Sequence, residues 1–422
     1  MIIIDLILIA VLLWNILIKK DYYSPLIFWC VIWIISFTFA MLNPYDMMKV
    51  SDKAIFIMGL GTLTFLTGCI GKKQIHFVFK KKQKKVFNTG KNEFNKWVCY
   101  SLLWVTFVFN LFVLATAIVF LRMGISYSNF RDILLGYSTN SNLSFFSSSF
   151  VSTFFSWIIG PAMSILLIIL MLNMVIKQIA GWFNFFTFID IAIYVFATSG
   201  RMLLLHAVIF LFFIYKFHGI QISKKLKRKV YHIGIIAIIL LLVLTFFRRK
   251  NVTSVPSLYS YFCIDVPLFS YWMKYIDDNH IMTYGNAFLR GFLEFINYVL
   301  GKVGMATPNF WSMQETFDLI QNRWIEVFPG NWYNAYVSSF LYFYMDFGII
   351  GVALGSYIFG KISKWSYRKL LDKKEIFYEI FYMLIIQTIA DSFIRWQIGN
   401  FAFLVTFFYA YICTKHKRKG VK

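Results

Sequence analysis

The sequence predicts an all-α polytopic membrane protein with about 11 transmembrane helices, because apolar runs of bilayer-spanning length recur along the whole chain. Hydrophobic residues make up 59% of the 422 residues, and charged residues only 14%. A soluble domain of this size carries more charge on its surface. A third observation, the uneven distribution of lysine and arginine, orients the helices in the membrane.

The spans are predicted near residues 2–18, 25–42, 54–71, 97–121, 152–175, 182–198, 202–215, 230–247, 335–360, 376–390 and 396–413. The basic tail from Lys415 to Lys419 favours a cytoplasmic C-terminus, which puts the N-terminus outside. The cytoplasmic connections, including 72–96, 216–229 and 361–374, then hold more than half of the 42 lysines and arginines. The net charge of +23 therefore indicates membrane topology, and we expect no nucleic-acid partner.

This topology divides the chain into helices 1–8 (residues 1–247), one large outward loop (248–334), and helices 9–11 with the basic tail (335–422). The outward loop is the longest interval that is not predicted to span the membrane, so we expect it to carry the functional site. The five cysteines provide no disulfide framework. The histidines have no second ligand at metal-binding spacing, so neither a metal nor another cofactor is expected.

Two amphipathic helical patterns lie in this loop. In the first, Phe288, Phe292, Phe295 and Val299 form an apolar face, and Arg290, Glu294, Asn297 and Gly301 form a polar stripe. In the second, Phe317, Ile320, Trp324 and Val327 are predicted to pack inward, whereas Glu315, Asp318, Asn322 and Glu326 face elsewhere beside Arg323. Both patterns fit helices on the membrane surface over a cavity. Intrahelical ion pairs, Arg290 with Glu294 and Arg323 with Glu326, are the alternative interpretation.

Further outward cations are Arg201 at the tip of the hairpin between spans six and seven, Arg248 and Arg249 at the end of span eight, and Arg395 between the last two spans. They can bind an anionic ligand or simply anchor the protein to lipid phosphates, and the sequence leaves both open.

Two carboxylates fall inside predicted spans. Asp346 lies in span nine and must face protein or water, so it is a functional candidate, with a packing role as the alternative. Asp190 in span six is interpreted as an internal hydrogen-bonding residue, with a proton relay as the alternative. Gly348, Gly351 and Gly355 share one face of span nine, which permits close helix approach.

Several of these segments resemble the Wzy-type polymerases of O-antigen and capsular polysaccharide repeat units. The resemblance rests on Asn334-Ala335-Tyr336, on the run from Phe343 to Gly348 with Gly351, on Ser199-Gly200-Arg201, and on one large outward loop two-thirds along the chain. The loops of this family are also described with an arginine followed eleven residues later by glycine, a spacing that Arg290 and Gly301 match.

The resemblance implies metal-independent glycosyl transfer between undecaprenyl-diphosphate-linked oligosaccharides. Fixed cations would stabilise the diphosphate leaving group, and a carboxylate would accept the proton of the attacking sugar hydroxyl. For catalysis we expect Arg201, Arg290, Arg323 and Asp346. The available bases are Asp346, Glu294, Asp318 and Glu326, with Asp346 as the first choice. The substrate-binding candidates are Arg248, Arg249, Glu294, Asp318, Asn334, Tyr336 and Arg395.

The expected location is the cytoplasmic (inner) membrane, with the active site facing the periplasm or the cell exterior. The expected partners are the lipid-linked oligosaccharide, the bilayer, and a chain-length regulator and flippase of the same glycan. Two other functions fit the same arginines. One is a flippase or transporter of the lipid-linked glycan, for which internal repeats and discontinuous helix pairs would be expected. The other is an O-antigen ligase-like transferase with a different acceptor.

Overall fold

The computed structural model describes residues 1–70, 93–124, 130, 134, 149–198, 201–218, 259–305 and 308–415. For residues 149–150, 201, 216 and 308–312 it describes the backbone only. These ranges are mostly helical, with one small β-hairpin. The helices are Ile2–Leu13, Pro25–Leu42, Asp52–Cys69, Lys96–Arg122, Ser149–Phe154, Gly160–Ile176, Gly181–Thr198, Arg201–Phe217, Asp265–Asp278, Arg290–Lys302, Pro308–Asn322, Ser338–Lys373, Ile376–Ala390 and Phe401–Ile412.

Six helical stretches in the described part of the chain are long and apolar enough to cross a membrane, so the protein is membrane-embedded. They are Ile2–Lys19, Pro25–Leu42, Lys96–Arg122, Val151–Ile176, Gly181–Thr198 and Ser338–Lys373. Three other predicted spans correspond to shorter apolar helices, Met202–Tyr215, Ile376–Ala390 and Phe401–Ile412. The span predicted at 54–71 is the 18-residue helix Asp52–Cys69, which is not among the six. The span at 230–247 lies outside the described residues.

The chain forms two compact units. The first contains Met1–Lys84, Asn251–Lys373 and Leu384–Leu404, and the second contains Lys85–Lys250, Lys374–Met383 and Val405–Lys422. In the second unit Asp190 is fully buried and accepts hydrogen bonds from Thr106 Oγ1 at 2.6 Å and Asn110 Nδ2 at 2.7 Å. This geometry confirms that Asp190 is an internal hydrogen-bonding residue.

The core of the first unit is aromatic. Trp29 stacks on Phe65 with ring centres 3.8 Å apart, and Trp33 stacks on Phe340 at 4.6 Å. The helices Asp52–Cys69 and Ser338–Lys373 approach each other closely, because a Cβ on Gly68 would lie 2.4 Å from the backbone oxygen of Tyr357. Small residues let helix backbones approach in this way.

The helix Ser338–Lys373 is broken at Phe347 and Gly348, which leave the helical region of backbone conformation. Gly348 has φ of 57°, a left-handed value that glycine adopts without steric cost. Past the break the chain folds back on itself, since a Cβ on Gly351 would lie 2.1 Å from the backbone oxygen of Phe343. The predicted close approach by Gly351 and Gly355 therefore occurs, but against Phe343 of the same helix. The predicted connection 361–374 is helical up to Lys373.

The outward loop has more structure than the two predicted helices. The helix Asp265–Asp278 precedes them, and a hairpin of strands Ile325–Phe328 and Asn331–Tyr333 follows. The second predicted amphipathic pattern was too long, because its helix ends at Asn322. Phe317, Ile320 and Val327 are buried as expected, although Val327 lies in the hairpin, whereas Trp324 is 55% exposed.

Candidate functional site

The break in the long helix places the carboxylate of Asp346 against the segment that begins helix Arg290–Lys302. Asp346 Oδ1 accepts hydrogen bonds from Thr283 Oγ1 at 2.5 Å and from the backbone N–H groups of Gly285 and Ala287 at 2.9 Å. Asp346 Oδ2 accepts from the N–H of Phe288 at 2.8 Å. A buried carboxylate with four donors serves as a cap, and its negative charge suits the positive end of the following helix.

The segment 396–400 also fixes the start of the helix Arg290–Lys302. Trp396 Nε1 donates to the carbonyl oxygen of Phe288 at 2.9 Å, and the rings of these two residues stack with centres 5.1 Å apart. Gly291 packs directly on the next turn, because a Cβ there would lie 2.4 Å from the backbone oxygen of Ile398. Asp346 and the segment 396–400 together hold the first residue of the helix, Arg290, in one position.

Arg290 is buried, with 8% of its surface exposed. Its Nε donates to Gln314 Oε1 at 3.2 Å, and its guanidinium lies 4.6 Å from the centre of the Phe317 ring. In the described part of the chain the guanidinium makes no other hydrogen bond and no ion pair. The four N–H groups on its two Nη atoms therefore remain available to a ligand.

Gln314 connects Arg290 to a carboxylate. Its Nε2 donates to Asp318 Oδ1 at 3.2 Å, one helical turn further along Pro308–Asn322. Partial burial raises the pKa of the Asp318 carboxyl above its ordinary value, and the positive charge of Arg290 opposes this rise. We call Arg290, Gln314, Phe317 and Asp318 the arginine cluster. It combines a guanidinium that has available N–H groups with a nearby carboxylate.

The intrahelical ion pairs, which were the alternative interpretation of the sequence, do not form. Glu294 Oε2 accepts from the backbone N–H of Phe401 at 3.3 Å instead of pairing with Arg290. Arg323 is exposed, and Glu326 Oε1 accepts from the N–H of Gly330 in the hairpin turn at 2.7 Å. Of the polar stripe, Arg290 and Asn297 are buried, Glu294 is half-buried and Gly301 is exposed. The side chains of Phe292, Phe295 and Val299 are about half exposed.

Of the remaining candidates, Asn334, Tyr336 and Arg395 are described, and the hydrogen bond of Asn334 and the ring contact of Tyr336 are with residues outside the arginine cluster. Asn334 Nδ2 donates to the carbonyl oxygen of Gln321 at 2.5 Å and so ties the end of helix Pro308–Asn322 to the next segment. The Tyr336 ring lies 6.1 Å from that of Tyr261. Arg395 is half-buried in the turn after Ala390. Arg248 and Arg249 lie outside the described residues, as does the side chain of Arg201.

Sequence reasoning missed Gln314, Thr283 and the stacking role of Phe317. Gln314, Phe317 and Asp318 are spaced i, i+3 and i+4, so a helical register places them on one face. Nothing local links Thr283 with Asp346, because 63 residues separate them. The described residues contain no group of three or more His, Cys, Asp or Glu side chains that could hold a metal ion.

Comparison with known proteins identifies no relative: no protein-family model, no curated protein and no solved structure matches this chain.

Proposed function

We propose that the protein polymerises undecaprenyl-diphosphate-linked oligosaccharide repeat units into O-antigen or capsular polysaccharide on the outer face of the cytoplasmic membrane. The observation that carries the proposal is the side chain of Arg290, which is 8% exposed and makes one hydrogen bond to the described residues, so that none of these residues occupies the four N–H groups of its Nη atoms. A guanidinium with so few protein partners suits an anionic ligand. Arginine binds phosphate oxygens in a bidentate manner.

The reaction transfers the growing glycan from its lipid carrier to a sugar hydroxyl of the incoming unit. The hydroxyl oxygen attacks the anomeric carbon, and the bond from that carbon to the diphosphate oxygen breaks. The bonding electron pair leaves with the diphosphate, whose added charge Arg290 stabilises. The hydroxyl proton passes to a carboxylate, and no metal takes part.

Within this proposal we assign the base to Asp318 instead of Asp346. Both oxygens of Asp346 are occupied by four donors, of which three are backbone N–H groups, so the carboxylate would have to break its own cap to accept a proton. Asp318 accepts one hydrogen bond from the described residues, through Oδ1, and its carboxylate is only partly buried. Its raised pKa also makes it a stronger proton acceptor than an ordinary aspartate.

A flippase of the same lipid-linked glycan is the second candidate, and the break at Phe347–Gly348 favours it. Transporters often build their binding sites around discontinuous helices. Such a protein would use Arg290 for the diphosphate but would need no base. A ligase-like transferase would use both residues and differ only in its acceptor.

Purified protein in liposomes, supplied with a lipid-linked repeat unit and no nucleotide or metal, tests these alternatives. We expect a ladder of longer products that is lost in Arg290→Ala and Asp318→Asn and kept in Lys302→Gln, an exposed cation at the far end of the same helix. Movement of the unit across the bilayer without lengthening would identify a flippase. Extension only when a different acceptor is supplied would identify a ligase.

A further inference from the structure

A second group of cations lies in the first unit, at the end that the charge distribution assigns to the cytoplasm. Lys361, Lys364 and Arg368 follow one another at i, i+3 and i+7 on the helix Ser338–Lys373, so they share a face. Lys19 reaches the same place from the end of the first helical stretch. Lys364 has electrostatic interactions with all three of the others.

The structure brings these chain-distant segments together through specific contacts. Tyr367 OH donates to Asp21 Oδ1 at 2.5 Å, which fixes the turn after Lys19 against the long helix. Cys69 Sγ lies 3.2 Å from the backbone oxygen of Gly360, where the helix Asp52–Cys69 ends beside the same surface. Membrane topology requires cytoplasmic cations, but it does not require that they converge.

Like charges held this close repel one another, and they are stabilised when an anion lies between them. Asp21 is the one carboxylate that interacts with Lys19 in the described part of the chain, and it also accepts the hydroxyl of Tyr367. Lys361 is exposed, and Lys19 and Lys364 are half-buried. The group therefore presents excess positive charge at the protein surface.

The surroundings of these cations are those of a membrane interface. The Nζ atoms of Lys19 and Lys361 lie 3.6 Å and 5.1 Å from the ring centres of Trp14 and Tyr357. Apolar side chains beside them are exposed, including Ile18 at 69% and Ile358 at 44%. An anion that contacts both the basic side chains and the exposed apolar side chains has a charged head and an apolar tail.

We propose that Lys19, Lys361, Lys364 and Arg368 bind the phosphates of an anionic phospholipid, whose acyl chains cover the exposed apolar surface next to them. Cardiolipin, with two phosphates, fits four converging cations best. This site is separate from the arginine cluster and does not rest on the proposed polymerase activity.

Native mass spectrometry of the detergent-purified protein with added cardiolipin or phosphatidylcholine tests this proposal. We expect the protein to retain cardiolipin in preference to phosphatidylcholine. The triple variant Lys19→Gln/Lys361→Gln/Lys364→Gln should retain at least about tenfold less cardiolipin, since each basic side chain near a lipid surface contributes to binding.

The matched control is Lys49→Gln/Lys274→Gln/Lys302→Gln, which removes the same charge from exposed positions elsewhere in the unit. It should retain cardiolipin as the wild type does. If the triple variant fails to fold, the single variant Lys361→Gln, at an exposed position, is tested instead. It should retain less cardiolipin than the wild type, with a smaller loss than the triple variant would show. The proposal would be overturned if the wild type and the variants at Lys361 retained equal amounts of cardiolipin, or if the control variant lost as much cardiolipin as the triple variant. Retention of phosphatidylcholine equal to that of cardiolipin by the wild type would also overturn it.

Discussion

Arg290 and Gln314 are joined by a single hydrogen bond of 3.2 Å, from Nε to Oε1, and this bond orients a guanidinium whose other N–H groups have no partner among the residues that the structure describes. Because Nε already donates to the amide, a bidentate contact with a phosphate would use the two Nη atoms. The neutrality of Gln314 matters here, since a carboxylate at this position would neutralise the cation.

Gln314 therefore provides a matched pair of substitutions. In Gln314→Leu the guanidinium keeps its charge but loses its orientation, and we expect kcat/KM to fall about 10- to 100-fold, the value of a hydrogen bond to a charged group. In Gln314→Glu an ion pair with Arg290 should compete with the diphosphate and weaken its binding further. Steady-state kinetics with the lipid-linked unit distinguish the two. Equal activity of Gln314→Glu and wild type would show that Arg290 does not bind an anion.

The pH dependence of the reaction should report Asp318. A base works when deprotonated, so the rate should be constant above the pKa of Asp318 and fall about tenfold per pH unit below it. Burial raises this pKa, and the charge of Arg290 lowers it. As the pH is lowered, the residual activity of Arg290→Gln should therefore begin to fall at a higher pH than the activity of the wild type does.

The Asp318→Asn variant is the control for this assignment, because it should lose both the rate and the acid limb of the profile. An acid limb with the same midpoint in wild type and Arg290→Gln would mean that another group titrates.

Asp346 should prove to be a structural residue. Asp346→Asn places an amide donor among four existing donors, and we expect a loss of about 1–3 kcal/mol for each group left unsatisfied. Thr283→Val removes one donor and should be milder. Thermal unfolding in detergent, together with activity per folded molecule, measures the effect. Full stability of Asp346→Asn with complete loss of activity would restore Asp346 as the base.

Gly291 tests whether the position of helix Arg290–Lys302 matters for function. In Gly291→Ala the new Cβ would lie 2.4 Å from the backbone oxygen of Ile398, so the helix start must move away from the segment 396–400. We expect lower thermal stability and weaker diphosphate binding. Gly181→Ala is the control, since a Cβ there has nothing within 4 Å. Equal effects of the two substitutions would argue against a precise helix position.

The sequence was sufficient to predict the membrane class, several of the spans and the polar stripe beginning at Arg290, because composition and helical periodicity are local properties. The turn signal Pro329-Gly330 was also present, and it could have predicted the hairpin that replaces the end of the second amphipathic pattern. The helix Asp265–Asp278 was not predicted, although its buried residues Val266, Phe269 and Met273 recur at helical spacing.

The role of Asp346 could not be predicted, because its four donors lie about 60 residues away and become neighbours only when the helix breaks at Gly348. For the same reason the sequence offered Glu294, one turn away on the same helix, as an alternative partner of Arg290. Folding instead places Gln314 and Phe317 beside Arg290 and gives Glu294 to the N–H of Phe401.

Binding of undecaprenyl diphosphate to the purified protein, measured in detergent by titration calorimetry, tests the central claim most directly. The account predicts that wild type and Lys302→Gln bind with equal affinity. Arg290→Ala should bind at least about tenfold more weakly, and Arg290→Lys should fall between them because lysine keeps the charge but not the bidentate geometry. Equal affinity of Arg290→Ala and wild type would contradict the account.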